Sequence, residues 1–299
     1  MPSPTATPPV PIVVHPVPVE AALHRVWAFT ADPSPDPWVV EPVVAPNGDI
    51  WAPRSLHDEF VIATKDGRAA GSWGVAGTEP GQFKLAANGS GWGAVAFRSD
   101  GGFYIADSGN NRIQQFGKDR DLIKVWGQFG TKDGQLIDPL DIAVDAANHV
   151  YVMCDSRHDL QVFDENGTFI RRLASDVGPY LSVSPDGTAY VDTNNAFAGL
   201  EVFAPDGTWT ATWDLHEVIR FATDVDVTPS GRIFVASATT GDGPGDYDKL
   251  IELDRTGRLV HVWPNGAEGL AINAAEDRLY ETFVEKMNGQ LLAIDLPPS

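Results

Sequence analysis

The chain has 299 residues, with 21 Lys and Arg against 41 Asp and Glu, for a net charge of −20. So acidic a balance excludes a nucleic-acid surface, which needs clustered cations to neutralise phosphates, and disfavours an anionic membrane face. The single cysteine, Cys154, excludes an intramolecular disulfide or a cysteine zinc site. No apolar run approaches the ~18 residues of a membrane-spanning helix, so no transmembrane segment is expected.

Residues 1–20, MPSPTATPPVPIVVHPVPVE, are Pro-rich and carry no charged leader region, which predicts an extended, flexible N-terminal linker rather than a signal peptide or helix. Pro/Thr-rich tethers of this kind follow removed signals or lipid anchors. The expected setting is therefore secreted, periplasmic or at the cell surface, with a cytoplasmic setting left open.

From residue 21 to 299 the chain is a repeat. Short runs ending on Trp27, Trp73, Trp126, Trp213 and Trp263, with Leu173 in the remaining place, recur at roughly 40–50-residue intervals. Between successive markers lie three more strand-like runs. The first runs are PVVA (42–45), VAF (95–97), IAVD (142–145), LSV (181–183), VDVT (225–228) and LAIN (270–273). The second include FYIAD and VYVMC, and the third RIQQF and LQVF. Asn47-Gly48, Asp100-Gly101 and Asp186-Gly187 punctuate the first and second runs; Asp66-Gly67, Asn166-Gly167 and Asp206-Gly207 punctuate the third and fourth. These are hairpin turns, where glycine supplies the positive φ of a tight connection.

After Trp263 only three runs remain, while one orphan run, His24–Ala28, precedes the first complete unit. The predicted fold is all-β: a six-bladed β-propeller of four-stranded antiparallel blades, closed by the N-terminal strand completing the last blade. Closure of this kind hides strand edges that would template aggregation.

In such meanders the second-to-third loops emerge on the same face as the blade-to-blade connections. Here those segments are the long ones: 28–41, 74–93, 127–140, 193–199, 214–223 and 238–248. Long loops on a rigid scaffold are where binding concentrates. The positions before each first strand are Glu41, Ala94, Asp141, Tyr180, Asp224 and Gly269, with Glu268 one place earlier, and they should line the mouth of the central channel. Converging carboxylates raise one another's pKa and favour a cation or cationic group. The alternative is a set of hydrated acids paired with Arg54, Arg112, Arg157 or Arg220. Asp242, Asp246 and Asp248 offer the hard oxygen ligands that suit calcium, or form a polar loop. His57 and His158 occupy equivalent loops of blades 1 and 3 and could share a zinc ion. Cys154 reads as a buried structural thiol, and the sequon at Asn166 coincides with a turn.

The run Ile105-Ala-Asp-Ser-Gly-Asn-Asn-Arg-Ile-Gln-Gln-Phe116, echoed over Val152–Phe163, resembles the NHL repeat. That resemblance implies a propeller, and propellers of this family are mostly ligand- or protein-binding modules. A more distant likeness is to gluconolactonase- and paraoxonase-like propellers, which hold calcium on the axis and hydrolyse lactones or esters. Glu41-Pro42-Val43 is similar to their Glu-Gly-Pro-Val segment without the glycine. Gly178-Pro-Tyr-Leu181 stands where they carry a ligand Asn, and Thr223-Asp-Val-Asp226 is shifted by one from their Asp segment. Peptide-amidating lyases of similar fold hold zinc through histidines, and no histidine occupies an equivalent position here.

Two functions follow as expectations. In the first, the propeller is a non-catalytic binder of a protein, peptide or carbohydrate through Trp38, Trp92, Tyr180, Arg54, His57, Arg112, Arg157, His158 and Arg220 on the long-loop face. In the second, Glu41, Asp141, Asp224 and Glu268 hold calcium in a metal-dependent lactone or ester hydrolase.

Overall fold

The computed structural model describes residues 9–32, 41–86, 93–193, 198–237, 249–264, 266–285 and 288–298. Six antiparallel blades follow one another along the chain, each with four strands ordered from axis to rim, and Ile12–Val13 adds a fifth, parallel strand to the fourth blade. Blade 1 comprises Val43–Val44, Ile50–Arg54, Glu59–Ala63 and Ala69–Trp73; blade 2, Val95–Phe97, Phe103–Asp107, Arg112–Phe116 and Leu122–Trp126. Blade 3 comprises Pro139–Val144, Val150–Cys154, Asp159–Phe163 and Phe169–Ser175; blade 4, Val177–Val183, Ala189–Thr193, Gly199–Phe203 and Trp209–Asp214. Blade 5 comprises Asp224–Val227, Ile233–Ser237, Lys249–Leu253 and Leu259–Trp263. In blade 6, Gly269–Ile272, Arg278–Glu285 and Asn288–Asp295 are joined on the outside by the N-terminal strand Arg25–Asp32, antiparallel to Asn288–Asp295.

The second strands Phe103–Asp107, Val150–Cys154, Ala189–Thr193 and Ile233–Ser237 are buried at every position. Both faces of each sheet pack on a neighbouring blade, so these strands are mostly apolar without alternation, with polar residues confined to their ends on the long-loop face. Six clusters of buried apolar side chains fill the six blade junctions. The junction of blades 1 and 2 is the aromatic one: Trp73 meets Phe83, Phe103 and Phe116 edge-on. The junction of blades 6 and 1 is formed by Ile50 and Ala63 against Tyr280, Leu291 and Ala293.

The tryptophans that mark the repeat are wedges between blades. Trp213, at the end of the outer strand of blade 4, is 1% exposed and packs among blade 5 residues. Its indole lies where a Cβ on Gly257, in the last turn of blade 5, would come within 2.5 Å of the ring nitrogen. That residue also has φ of +82°, so any side chain there is both strained and obstructed. Cys154 is fully buried, and its thiol pKa is pushed up to about 12, first by burial.

The segment 12–20 is seated against the propeller. Ile12–Val13 runs parallel to the outer strand of blade 4, pairing Ile12 with Trp213 and Val13 with Asp214. The Val14 N–H donates to Asp214 O at 2.8 Å, and the Val14 side chain is 3% exposed in the junction of blades 4 and 5. Further on, Glu20 N–H donates to Val262 O at 2.8 Å on the rim of blade 5. The Glu20 carboxylate meets His261. The segment thereby covers outer edges of two blades before entering the third.

Val14→Asp should therefore destabilise the fold by about 1–3 kcal/mol, since it places a charge in an apolar slot. The measurement is the midpoint of urea unfolding. An unchanged midpoint would mean that the segment contributes nothing to that junction.

Candidate functional site: the axial carboxylate cavity

The first strand of each blade has no partner on its inner side, so its axial N–H groups need other acceptors. Three aspartates supply them across blade boundaries. Asp141 in blade 3 accepts Ile142 N–H at 2.7 Å through Oδ1 and Leu181 N–H of blade 4 at 2.9 Å through Oδ2. Asp224 in blade 5 repeats the arrangement, taking Val225 N–H at 2.7 Å and Leu270 N–H of blade 6 at 2.7 Å. Asp226, one tier deeper, accepts Ile272 N–H at 2.8 Å and the Ser182 hydroxyl at 3.2 Å. These three carboxylates are inter-blade pins.

Glu41 differs. It is 7% exposed, and neither carboxylate oxygen has a hydrogen-bond partner among the described residues. Its backbone has φ of +48° and is wedged against blade 6, where a Cβ on Gly269 would lie 2.4 Å from Glu41 N. Glu41, Asp141, Asp224 and Asp226 line one cavity of about 230 Å³, walled by the first strands of all six blades.

Burial dominates the titration of all four acids. Glu41 is raised well above the usual carboxylate range by desolvation, then by the charges of Asp141 and Asp224. Asp141 rises to about 7, with the Leu181 and Ile142 N–H groups opposing the effect of burial. Asp224 is raised well above its ordinary value by burial, against the Leu270 N–H. Asp226 reaches about 6 for the same reason. Tyr180 faces this cluster: its phenol is raised by burial, then by Glu41, Asp224, Asp192 and Asp141. Behind it, Asp192 and Glu201 of blade 4 rise to about 8 and about 7, both chiefly through burial.

Calcium requires six to eight oxygens at ~2.3–2.6 Å. Among the described residues no three His, Cys, Asp or Glu side chains are arranged to hold a metal ion. The aspartate oxygens are already engaged by N–H donors, so the donor set as arranged does not fit calcium. Glu268 does not line the cavity; it is half-buried, and its N–H pairs with Thr282 O at 3.0 Å. Asp242, Asp246, Asp248, Trp38 and Trp92 lie outside the described residues.

The arginines expected on the long-loop face are largely engaged in holding its loops. Arg112 bonds Asp107 at 2.7 Å and donates to Thr78 O, Glu79 O and Gln82 O at 2.8–3.0 Å. Gln114 completes the clamp, donating to Gln82 O at 2.7 Å and accepting Gly81 N–H at 2.8 Å. Blade 3 repeats it: Arg157 meets Asp159 at 2.6 Å and reaches Gly130 O and Gln135 O, while Gln161 donates to Gln135 O and accepts Gly134 N–H, each at 2.9 Å. Arg54 pairs with Glu59 at 2.5 Å. Arg220 is exposed, its guanidinium 5.3 Å from the Phe221 ring centroid. His57 and His158 are exposed in their turns on blades 1 and 3, with blade 2 between them.

Residue-type reasoning passed over Asp226, although the alternation Asp224-Val225-Asp226 places both acids on one side of a strand. Four exposed apolar residues were also missed: Leu56, Val75 and Phe129, with Phe221, are 50%, 61%, 69% and 49% exposed. All four sit in second-to-third or blade-to-blade connections, hence on the long-loop face. Nothing in the local pattern distinguishes them from buried residues of the same type.

These raised acids set the sign of the pH response. Their folded pKa values exceed the unfolded ones, so the native state binds more protons between about pH 4 and about pH 8. Stability from this source is complete below the unfolded values and is lost as pH rises through the folded ones. Glu281, 3% exposed and raised to about 8 chiefly by burial, is a clean probe in blade 6. The melting temperature should fall from about pH 5 to about pH 8, and Glu281→Gln should flatten that slope. A slope of the opposite sign would refute the assignment of these acids as neutral in the folded state.

An NHL repeat profile matches residues 92–116. Protein brain tumor of Drosophila melanogaster is 28% identical over 85 residues, covering 28% of this chain and 8% of that protein. A gluconolactonase from Xanthomonas campestris superposes with a TM-score of 0.65 at 16% identity, over 97% of this chain and 99% of that one. Regucalcin, a calcium-binding protein from Agrobacterium tumefaciens, superposes with a TM-score of 0.62 at 15% identity, over 96% of each chain. At these identities the structural likeness concerns the fold. The chain is a six-bladed β-propeller that carries an NHL repeat in its second blade.

Proposed function

We propose that this propeller is a non-catalytic binding module that takes a protein or peptide on its long-loop face. The observation that carries the reading is the exposure of Leu56, Val75, Phe129 and Phe221 on that one face. Scattered single apolar residues need no explanation, whereas several on one rigid face fit a contact surface. The loops that bear them are not loose: the clamps of Arg112 with Gln114 and of Arg157 with Gln161 tie the connections 74–85 and 127–138 to the blades. Pre-ordered loops reduce the entropy lost on binding. Apolar side chains beside Arg220 suit a polypeptide better than a glycan. The Pro/Thr-rich start favours an extracytoplasmic setting for this encounter.

A second reading, a metal-dependent lactone or ester hydrolase, draws support from the unpartnered Glu41 on the propeller axis. Against it, the oxygens of Asp141 and Asp224 are engaged by main-chain N–H groups and Glu268 does not line the cavity, so these acids do not fit calcium as they are arranged. Calcium retained through purification and lost in Glu41→Ala, together with lactone turnover, would establish it in place of the binding module.

For the binding reading, peptides selected from a display library against the immobilised propeller serve as probes. The Phe129→Ser/Phe221→Ser double variant should weaken the selected peptides at least about tenfold. Its melting temperature should stay within about 2 °C, because both residues are exposed. Undiminished affinity in that variant would place the contact elsewhere.

A further inference from the structure

We propose that the axial cavity receives an organic cation, a primary ammonium or guanidinium on a slender aliphatic stem, seated against the Glu41 carboxylate. As to carrier, this rests on the binding-module reading, in which a Lys or Arg of the partner would reach the channel mouth. As to chemistry, it stands alone and can be tested with a free alkyl cation.

Two independent features point to it. Glu41 is more than nine-tenths buried, lines the cavity, and has two carboxylate oxygens without a partner among the described residues. A buried carboxyl left unsatisfied is costly, so an occupant that supplies donors is strongly favoured there. The second feature is the lining. Among the described residues, the other ionisable groups on the cavity are Asp141, Asp224 and Asp226, with Tyr180 facing the same cluster, and no lysine, arginine or histidine lines it. The three aspartates keep their oxygens on main-chain N–H groups and, at Asp226, on the Ser182 hydroxyl, so they form fixed acidic walls rather than partners for Glu41.

The same geometry separates an organic cation from a metal. An ammonium or guanidinium needs hydrogen-bond acceptors at ~2.7–2.9 Å, and one free carboxylate with a negative surround suffices. A divalent ion needs several oxygens drawn to within ~2.6 Å, which would pull the aspartates off their N–H donors and unpin the blades. Small apolar residues of the first strands, Ala96, Ala143 and Ala271, also line the cavity and leave room for an aliphatic stem. Asp226 stands one strand repeat below Asp224, roughly 7 Å deeper, so a second cationic centre on the same stem also finds an acid.

The test is calorimetric titration of the full chain with n-butylguanidinium and, separately, n-butylammonium at about pH 8.5, where the cavity acids are more ionised than at about pH 5.5. Saturable one-to-one binding is expected, weakened about tenfold or more in Glu41→Gln and weakened in the unaltered chain at about pH 5.5. The Phe129→Ser/Phe221→Ser variant should bind these small cations as the unaltered chain does, which separates failure of the cavity from failure of the outer face. Equal affinity in Glu41→Gln, no saturable binding, or displacement of the alkyl cation by equimolar calcium would overturn the proposal. Should Glu41→Gln fail to fold, affinity independent of pH over that range would overturn it equally.

Discussion

The structure depends on a conflict at its centre. Six sheets pack face to face through apolar junctions, and this packing brings six first strands to the axis with their inner edges unpaired. An unpaired buried N–H costs as much as a lost hydrogen bond, and water reaches a narrow channel poorly. Asp141, Asp224 and Asp226 resolve the conflict by acting as a missing strand, each linking one blade to another. The solution has an electrostatic consequence. It concentrates carboxylates where they are least solvated and raises their pKa values together.

The polar residues of the NHL motif address the same difficulty at the rim. Long blade-to-blade connections expose main-chain carbonyls and N–H groups, and Arg112, Gln114, Arg157 and Gln161 gather them. Blade 4 shows what happens when the motif lapses. By strand register Glu201 pairs with Val191 as Gln114 pairs with Ile105, while Gly199 takes the place of the arginine end of the strand. The buried Glu201 rises to about 7, where a protonated carboxyl presents one donor and one acceptor much as the glutamine amide does. The lapse thus sets a titratable group where the motif places a neutral amide.

The blades were legible in the sequence because their markers are local. A tryptophan closing an outer strand, an Asp-Gly or Asn-Gly turn, and a continuous apolar second strand each report on a few adjacent residues. The N-terminal segment was less legible: Pro-rich composition predicts extension, but the burial of Val14 depends on a slot made by Leu215, Val218 and Ile219. The site divided in the same way. Pre-strand position brought out Glu41, Asp141 and Asp224, yet residue type alone cannot tell a carboxylate that caps N–H groups from one that caps nothing. The loop-holding bonds of Arg112 and Arg157 were hidden for the same reason: their carbonyl partners lie 22 to 34 residues away in sequence.

Glu41 is where the local and global logics part. The pins at Asp141 and Asp224 cannot release their N–H donors without loosening blade contacts, so neither can neutralise a neighbour by moving. Glu41 makes no such bond among the described residues, and its pKa is raised first by burial and then by Asp141 and Asp224. Its protonation state is therefore the adjustable quantity in an otherwise rigid axis: a proton satisfies it when the cavity is otherwise empty, and a cationic group competes with that proton. Binding there must be linked to proton release, by the reciprocity that couples any two ligands of one site. The acids that hold the ring together also make its centre selective for positive charge. Selectivity of that kind needs no catalytic group, which is why a scaffold built from structural aspartates can serve as a recognition site.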